Sequence, residues 1–570
     1  MTRIFTQRPA AASRWAMTLA LAWMPMLAVR AQEATPAPAV PAPGIPAAGA
    51  PTAPPVVTVT LGSINKLTAD ISYLSAMMGQ PQAGGMFAMM ATSMAQGVDM
   101  NQPIGVLVPL VDGMPQPIAV LPTANVKEVL RRLEGQTGPA DELDDGTLVI
   151  AMGVNTIYIK QVGSWAAVSN NRESLKFAPA DPTTYFSGMG NEYFLAVRLQ
   201  MQQVPAETRQ ILIDQMRGGF ERAMSQNGND EQAREIAEGS LDQLTQIIEE
   251  TDQLDIGLNV DQSAGEVVID TSFTAVPGTN LADVYAGQRA LPSKFASVIR
   301  PDAAGYYHAS TSISPAAIEQ VKDTIERNMQ MLGKALEQED DLNDAQRAEI
   351  ERLIEQIVDL GVRSIEEGRA DVGTMLLTGE GNGQLVSGFM VADGAEAAKI
   401  LKDFAARIQN EPDAPRFLFD VDKYGDVTLH RVEADVPADK DEARKIFGET
   451  LQVHIGTAPK AVYLAVGQGS LEMMKGLVDA EPKMVDGETP PLGQLRVQML
   501  PILQYAQSIE DNDTIAAMID ALSASPDAGV VNFLSEPIAN GSKTHITLSE
   551  GLLRAVGAAV AANQPQPANF

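Results

Sequence analysis

The amino-acid sequence predicts an α+β fold of two tandem similar domains, each mainly an antiparallel sheet covered by long helices on one face. Two observations carry this prediction. Patterns typical of short strands alternate with long amphipathic helical patterns, and successive strands meet through tight turns, which favours antiparallel pairing. The order strand, helices, hairpin and closing helix also occurs four times, in alternating long and short copies, which indicates an internal duplication.

The first 31 residues have the composition of a secretory signal peptide. Basic residues precede an apolar run, Trp15–Val29, and Ala31 supplies the small residue that signal peptidase prefers. The run is shorter than the roughly 20 apolar residues that a transmembrane helix needs. We therefore expect cleavage after 1–31 and a mature protein in the periplasm or outside the cell. An uncleaved N-terminal anchor is the alternative.

Residues 32–55 form an Ala/Pro-rich segment before the first predicted strand. Proline favours an extended backbone, and the segment has few large apolar side chains from which a core could form. We predict that it is a disordered linker between the export signal and the folded part of the chain.

Overall composition restricts the possible partners. The chain has 570 residues with 72 Asp and Glu against 41 Lys and Arg, a net charge of −31, so its surface repels nucleic acids and anionic lipids. Cysteine is absent, which excludes disulfides, thiolate nucleophiles and cysteine-bound metals. Because no later segment is long and apolar enough to span a bilayer, we expect no transmembrane segment in the mature chain.

The first predicted domain spans 56–288 and joins a long copy of the repeat to a short one. The long copy begins with the strand Val56–Leu61 and a helix, and it carries an extension of three strands. The short copy begins with the strand Tyr193–Leu199 and a long helix after Pro205. The other strands and closing helices of this domain are predicted at 104–110, 118–121, 125–133, 146–152, 156–161, 164–168, 255–260, 266–273 and 281–285.

The second predicted domain spans 303–561, between a linker at 289–302 and a disordered tail at 562–570. Ser314 and Pro315 predict the start of its first long helix, because serine caps a helix and proline is tolerated at the first helical position. Its strands and later helices are predicted at 306–313, 371–376, 384–389, 395–408, 417–421, 426–432, 451–455, 461–466, 495–499, 530–534, 543–548 and 550–560.

The most unusual composition lies between Tyr73 and Met100, where seven of 28 residues are methionine. Four of them recur at spacings of three and four residues, which places them on one face of a helix: Met86, Met89, Met90 and Met94. The repeat requires a helix over the sheet here, and methionine fills gaps in cores, so we predict that they pack. Binding of Cu(I) by clustered thioethers is the alternative, although no His or Cys lies nearby.

The histidines stand singly in predicted strands, without the close spacing of a zinc motif, so we expect each to have a polar neighbour rather than a metal. They are His308, His430, His454 and His545. The segment that starts at Asp420 begins like a calcium loop, but Tyr424 and Arg431 occupy ligand positions, and a hairpin turn is predicted instead.

Familiar catalytic motifs are missing from the sequence: it has no GxSxG elbow, phosphate-binding P-loop or dinucleotide fingerprint. Gly467–Ser470 follows a strand and precedes a helix, where backbone amides could receive an anion, but a structural turn is predicted. The acidic run Glu337–Asp344 is interpreted as a solvated connection between helices. The sequence therefore predicts no catalytic, cofactor-binding or metal-binding residues.

The segment DDGTLVIAMGVNTIYIKQVGSWAAVSNNRESLK resembles a recurring run in large, uncharacterised exported bacterial proteins that carry a domain of unknown function. The resemblance is clearest at Ile157–Leu175 and includes Trp165. It implies export, and it brings no established activity or catalytic residues to this chain.

These observations predict an exported, non-enzymatic binding or scaffolding protein of the cell envelope that uses no cofactor. Its partner would be an envelope protein or an apolar ligand, bound on the open face of a sheet or in a crevice between sheet and helices. The alternative is a secreted hydrolase that uses some of the many Asp and Glu carboxylates.

Overall fold

A computed structural model describes residues 54–152, 155–226, 241, 243–337, 343–379, 381–409, 414–487 and 489–563. The predicted signal peptide lies outside the described residues, as do most of the predicted linker 32–55, most of the run Glu337–Asp344 and the end of the predicted tail. Within the described part of the chain, no helix combines the length and the hydrophobicity that a membrane crossing requires.

Most strands are close to their predicted positions. They are β1 (Pro55–Leu61), β2 (Ile104–Val111), β3 (Met114–Pro115), β4 (Ile118–Pro122), β5 (Asp141–Glu142), β6 (Leu148–Met152), β7 (Asn155–Val162), β8 (Trp165–Ser169), β9 (Leu195–Gln200), β10 (Thr251–Asp261), β11 (Glu266–Ala275), β12 (Gly305–Ser312), β13 (Arg369–Gly379), β14 (Asn382–Met390), β15 (Arg416–Tyr424), β16 (Val427–Asp435), β17 (Thr450–Ala458), β18 (Ala461–Val466), β19 (Gly493–Gln498), β20 (Val530–Ile538) and β21 (Gly541–Ser549).

Most helices also follow the predicted order. They are α1 (Ile64–Met77), α2 (Pro81–Met94), α3 (Val126–Thr137), α4 (Thr183–Phe186), α5 (Met189–Glu192), α6 (Ala206–Gln226), α7 (Asn280–Tyr285), α8 (Pro315–Glu337), α9 (Asp344–Glu366), α10 (Gly394–Ile408), α11 (Asp441–Phe447), α12 (Ser470–Asp479), α13 (Met499–Ile509), α14 (Asp513–Ser523) and α15 (Glu550–Ala562). Residues 243–250 are helical as well. The Ser314 hydroxyl accepts a hydrogen bond from the Ala317 amide (3.1 Å), as expected for the cap of α8.

The strands form one continuous antiparallel sheet. Its order is β5-β6-β7-β8-β4-β2-β1-β9-β10-β11-β21-β20-β19-β12-β13-β14-β18-β17-β16-β15, and β3 pairs with β2. The α+β class is therefore right. The prediction of two tandem domains with a sheet each is wrong, because a single sheet passes through both halves of the chain.

The two halves meet where β11 pairs with β21, a boundary that we call the seam. Nine residue pairs cross it, from Glu266 opposite Ser549 to Thr274 opposite Gly541. Each half would otherwise end in an unpaired strand at this position, and an exposed strand edge is prone to association. When β11 and β21 pair with each other, neither strand is left as an exposed edge. This is a physical reason for the two halves to form one sheet instead of two.

Within this sheet the halves have the same strand order. Strands β5-β6-β7-β8-β4-β2-β1-β9-β10-β11 of the first half correspond in sequence order to β15-β16-β17-β18-β14-β13-β12-β19-β20-β21 of the second. Trp165 of β8 and Tyr463 of β18 lie on corresponding strands, and both are buried. The repeated order of elements thus builds two halves of one sheet.

The long helices cover one face of the sheet, and helices also join the halves. In the second half, α9 and α10 bury their apolar stripes against β18; the cluster includes Leu353, Ile357, Leu360, Ile400, Phe404 and Val462. The C-terminal helix α15 crosses the seam to pack on α1. There the Tyr73 hydroxyl donates to Glu550 Oε2 (3.0 Å), and Gly557 lies against the Met78 backbone.

The opposite face of the sheet is covered by shorter segments, which include α4 in the first half and α12 in the second. Residues 289–302, expected as a linker, pack into the core of the second half, where Phe295 and Val298 are buried beside Tyr463. The Ser293 hydroxyl donates to Asp371 Oδ1 (2.5 Å) and fixes this segment to β13. In the first half, Phe186 packs against Trp165 in the same way, with ring centroids 6.2 Å apart.

Candidate functional site

Four methionines of α2 form an exposed patch that we call the methionine surface: Met86, Met89, Met90 and Met94. Their exposed fractions are 68%, 71%, 55% and 54%. The prediction that they pack in a core is therefore wrong. The spacing does place them on one face of a helix, as expected, but that face points to solvent.

Small residues on the other side of α2 explain this orientation. Helix α2 packs on α1 with Gly84 buried at the contact, where an added Cβ would lie 2.7 Å from Ser72 Cα and 3.1 Å from Ser75 Cβ. Only glycine permits this approach of the two backbones. Because the glycine side of α2 is used for packing, the methionine side is left outside.

The methionine surface lies in a stretch without charge. Residues 71–98 contain no Asp, Glu, Lys, Arg or His, in a chain whose charged content is 20% and whose net charge is −31. Contiguous apolar patches on soluble proteins commonly mark interaction sites, and methionine is overused on surfaces that bind partners because its side chain adapts. The surface can therefore receive an apolar partner, and its thioethers can act as soft metal ligands.

A second group of side chains, which we call the seam cluster, joins the two halves: Tyr193, Asp270 and His545. Asp270 of β11 and His545 of β21 are directly opposite each other across the seam. His545 Nδ1 lies 2.7 Å from Asp270 Oδ1, and the Tyr193 hydroxyl donates to Asp270 Oδ2 (3.0 Å). The Tyr193 ring lies over Gly257 of β10, where any larger residue would collide with it.

The protonation states within the seam cluster follow from this geometry. Burial acts to raise the pKa of Asp270, but the hydrogen bond and the charge of His545 outweigh it, and the pKa is lowered. The hydrogen bond to Asp270 raises the pKa of His545 above its usual value. Burial, together with the negative charge of Asp270, raises the pKa of Tyr193, so its hydroxyl stays neutral. The Asp270 and His545 side chains are thus hydrogen-bonded and form an ion pair when the imidazole is protonated; the His545 side chain is 40% exposed.

The sequence did not predict the seam cluster. Asp270 is 77 residues from Tyr193 and 275 residues from His545. No local spacing connects them: the pairing of β9, β10 and β11 brings Tyr193 to Asp270, and the seam brings Asp270 to His545. Asp270 and His545 both lie in predicted strands. If the strand order had been known, their positions on the same face of the sheet would have predicted the contact between them.

Of the other histidines, His430 has the polar neighbours that were expected for a strand histidine, whereas His308 does not. His430 Nδ1 accepts from the Asp420 amide (3.1 Å), and its Nε2 lies 3.2 Å from the Thr457 hydroxyl. His308 is buried, and both of its ring nitrogens are without hydrogen-bond partners among the described residues. The described residues include no cluster of three His, Asp or Glu side chains arranged to hold a metal ion.

The two loop motifs of the second half are turns. The segment from Asp420 forms the bulged hairpin of β15 and β16, with Asp420 at a φ of 52° and bonded to Lys402 Nζ (2.8 Å). Gly467 and Gly469 have φ angles of 100° and 83°, which suit the sharp turn into α12, and Gln384 Nε2 donates to the Gln468 carbonyl there (2.5 Å).

Comparison with protein-family models, with curated proteins and with solved structures found no match to this chain. Functional inference therefore rests on the chemistry of its own surfaces.

Proposed function

We propose that the protein is an exported, non-enzymatic binding or scaffolding protein of the cell envelope, and that it holds an envelope protein at the methionine surface. The observation that carries this proposal is the exposure of Met86, Met89, Met90 and Met94 on one helix face within an uncharged stretch. The export predicted from residues 1–31 supports the proposal, because it would bring the protein to the envelope.

Energetics support a docking role for this surface. Full burial of one methionine side chain contributes about 1.5–3 kcal/mol, and a micromolar complex needs about 8 kcal/mol. Four methionines on one face therefore supply a substantial part of the free energy of a stable contact. The absence of charge in residues 71–98 means that no ionised group of this stretch must be desolvated when the partner binds.

Site-specific photo-crosslinking tests the proposal. A photoreactive residue at Met89 should form a discrete adduct with an envelope protein, because this side chain is 71% exposed at the centre of the surface. The control is the same residue at Met114, which is 63% exposed but lies on β3, away from α2. Changing Met86, Met90 and Met94 to Gln should abolish the adduct at position 89. Equal adducts at both positions, or none at position 89, would contradict the proposal.

A secreted hydrolase is the second candidate, and the seam cluster is the observation that favours it. A half-exposed imidazole that is oriented by a carboxylate is a common general base. Hydrolysis of chromogenic esters and glycosides by the whole protein, lost in His545→Asn and retained in His454→Asn, would support this function. If no substrate is turned over, or if both variants behave alike, the seam cluster is not a catalytic site.

A further inference from the structure

We propose that Met86, Met89 and Met90 bind a Cu(I) ion, with Met94 as a fourth thioether within reach. The proposal concerns the same surface as the proposed function but does not depend on it, because it rests on the sulfur atoms rather than on the apolar character of the side chains. It starts from the finding that these methionines are exposed and are therefore not needed to fill a core.

The helix places three thioethers on one turn. Met86, Met89 and Met90 stand at positions i, i+3 and i+4 of α2, and residues at these spacings have Cβ atoms about 5–6 Å apart. Each methionine side chain has three rotatable bonds, so the three sulfur atoms can turn toward a common point above the helix. Met94 is four residues beyond Met90 and extends the same face toward the helix C-terminus.

The chemistry of these ligands selects a soft cation. Thioethers suit Cu(I), whereas Ca²⁺ and Mg²⁺ require oxygen ligands, and Zn²⁺ prefers imidazole and thiolate. Residues 71–98 provide no carboxylate or imidazole for these competitors. They also provide no Lys or Arg to repel a cation, and the net charge of −31 attracts one.

The presence of methionine instead of leucine on this face also supports a metal site. Leucine and methionine have similar helix propensities, and either would make an apolar patch. A surface that needed only hydrophobicity could have used leucine. Methionine differs from leucine in its more flexible chain, which suits a docking surface, and in its thioether, which is the ligand that Cu(I) requires; four thioethers share one face of α2.

Copper titration of the mature chain tests the proposal. Under anaerobic, reducing conditions, a chromophoric Cu(I) chelator should lose one Cu(I) per chain to the protein, with a dissociation constant below about 1 μM. X-ray absorption of the complex should show a coordination shell of sulfur. The variant with Met86, Met89, Met90 and Met94 changed to Leu should bind at least about 100-fold more weakly, because it loses all four ligands.

Two control variants make the result decisive. Met114→Leu with Met484→Leu removes exposed methionines elsewhere and should leave the affinity unchanged. Met89→Leu alone should weaken binding even if the fourfold variant does not fold. The proposal is overturned if the wild-type chain does not bind Cu(I), if the fourfold variant binds equally well, or if the Met114 and Met484 control loses binding.

The outcome of the copper titration can be distinguished from the outcome of the crosslinking experiment that tests the proposed function. The fourfold leucine variant keeps an apolar surface, so it should still dock a partner protein while it loses copper. Changing the methionines to Gln should abolish both. Copper binding without a crosslinked partner would support the metal site alone, and a crosslinked partner without copper binding would overturn the metal site and leave the docking role.

Discussion

At the scale of single residues, His308 and His545 show how strand pairing decides the behaviour of the same side chain. Both occupy strands, and both lie on the sheet face opposite the long helices. His545 faces Asp270 across the seam, whereas His308 lies between Gly373 and Gln494. Burial lowers the pKa of His308 to about 4, while the hydrogen bond to Asp270 raises that of His545.

His308 should make the protein less stable in mild acid. Its pKa is about 4 when folded and 6.5 when unfolded, so the unfolded chain takes up the proton first as the pH falls below about 6.5. Between pH 7 and pH 5 this removes about 2 kcal/mol from the free energy of unfolding. Urea unfolding at the two pH values should show a loss that is smaller by about this amount in His308→Leu. An identical loss in the variant would mean that His308 is not held neutral.

His545 should titrate in the opposite direction. Its pKa in the folded protein should lie above 6.5, and replacing Asp270 by Asn should lower it because the ion pair is removed. The pair therefore stabilises the fold fully at pH values below 6.5 at which Asp270 is still ionised. This contribution disappears as the pH rises through the raised pKa of His545, or falls through the lowered pKa of Asp270. Nuclear magnetic resonance of the imidazole protons measures both values. No downward shift in Asp270→Asn would show that the two side chains are not paired.

At the scale of elements, the sequence predicted most helices and strands because their signals are local. The period of apolar residues and the Ser314 cap each act within a few residues. The methionine surface was assigned to the core because periodicity shows which residues share a face, but not which face points inward. That choice depends on the contact between Gly84 and Ser72, which belongs to tertiary packing.

Replacing two helical glycines by alanine should change the stability of the protein in opposite directions. A Cβ at Gly394, the first residue of α10, would collide with the Ala458 carbonyl, so Gly394→Ala should destabilise the protein by about 1–3 kcal/mol or more. Gly476 of α12 has open space around its Cα, so Gly476→Ala should stabilise it by about 0.5–1 kcal/mol. Thermal unfolding of both variants checks this. A stabilising Gly394→Ala would show that α10 does not start against β17.

At the scale of the whole molecule, the order of elements was visible in the sequence, but the join between the halves was not. Equal halves can form two domains or one sheet, depending on whether β11 and β21 remain edges or pair with each other. The side chains of β11 and β21 alternate between the two faces of the sheet whether these strands are edges or are paired. Their sequence pattern therefore does not show which of the two arrangements forms. The nine pairs of the seam, and the packing of α15 on α1, make the chain one structural unit.

A disulfide engineered across the seam tests this account most directly, because the natural chain contains no cysteine. Val268 of β11 and Thr547 of β21 are directly opposite each other, and such pairs have Cα atoms about 4.5–5.5 Å apart, within the range of a disulfide. Asn532 of β20 is one strand further from Val268 and supplies the control, at about 9–10 Å.

The measurement is the disulfide content of the folded double variants after mild oxidation, determined by mass spectrometry of the linked peptides. Val268→Cys with Thr547→Cys should form an intramolecular disulfide in nearly every molecule, and Val268→Cys with Asn532→Cys should keep two free thiols. Two free thiols in the first variant, with the protein folded and monomeric, would contradict a single sheet and show that the halves are not paired through β11 and β21.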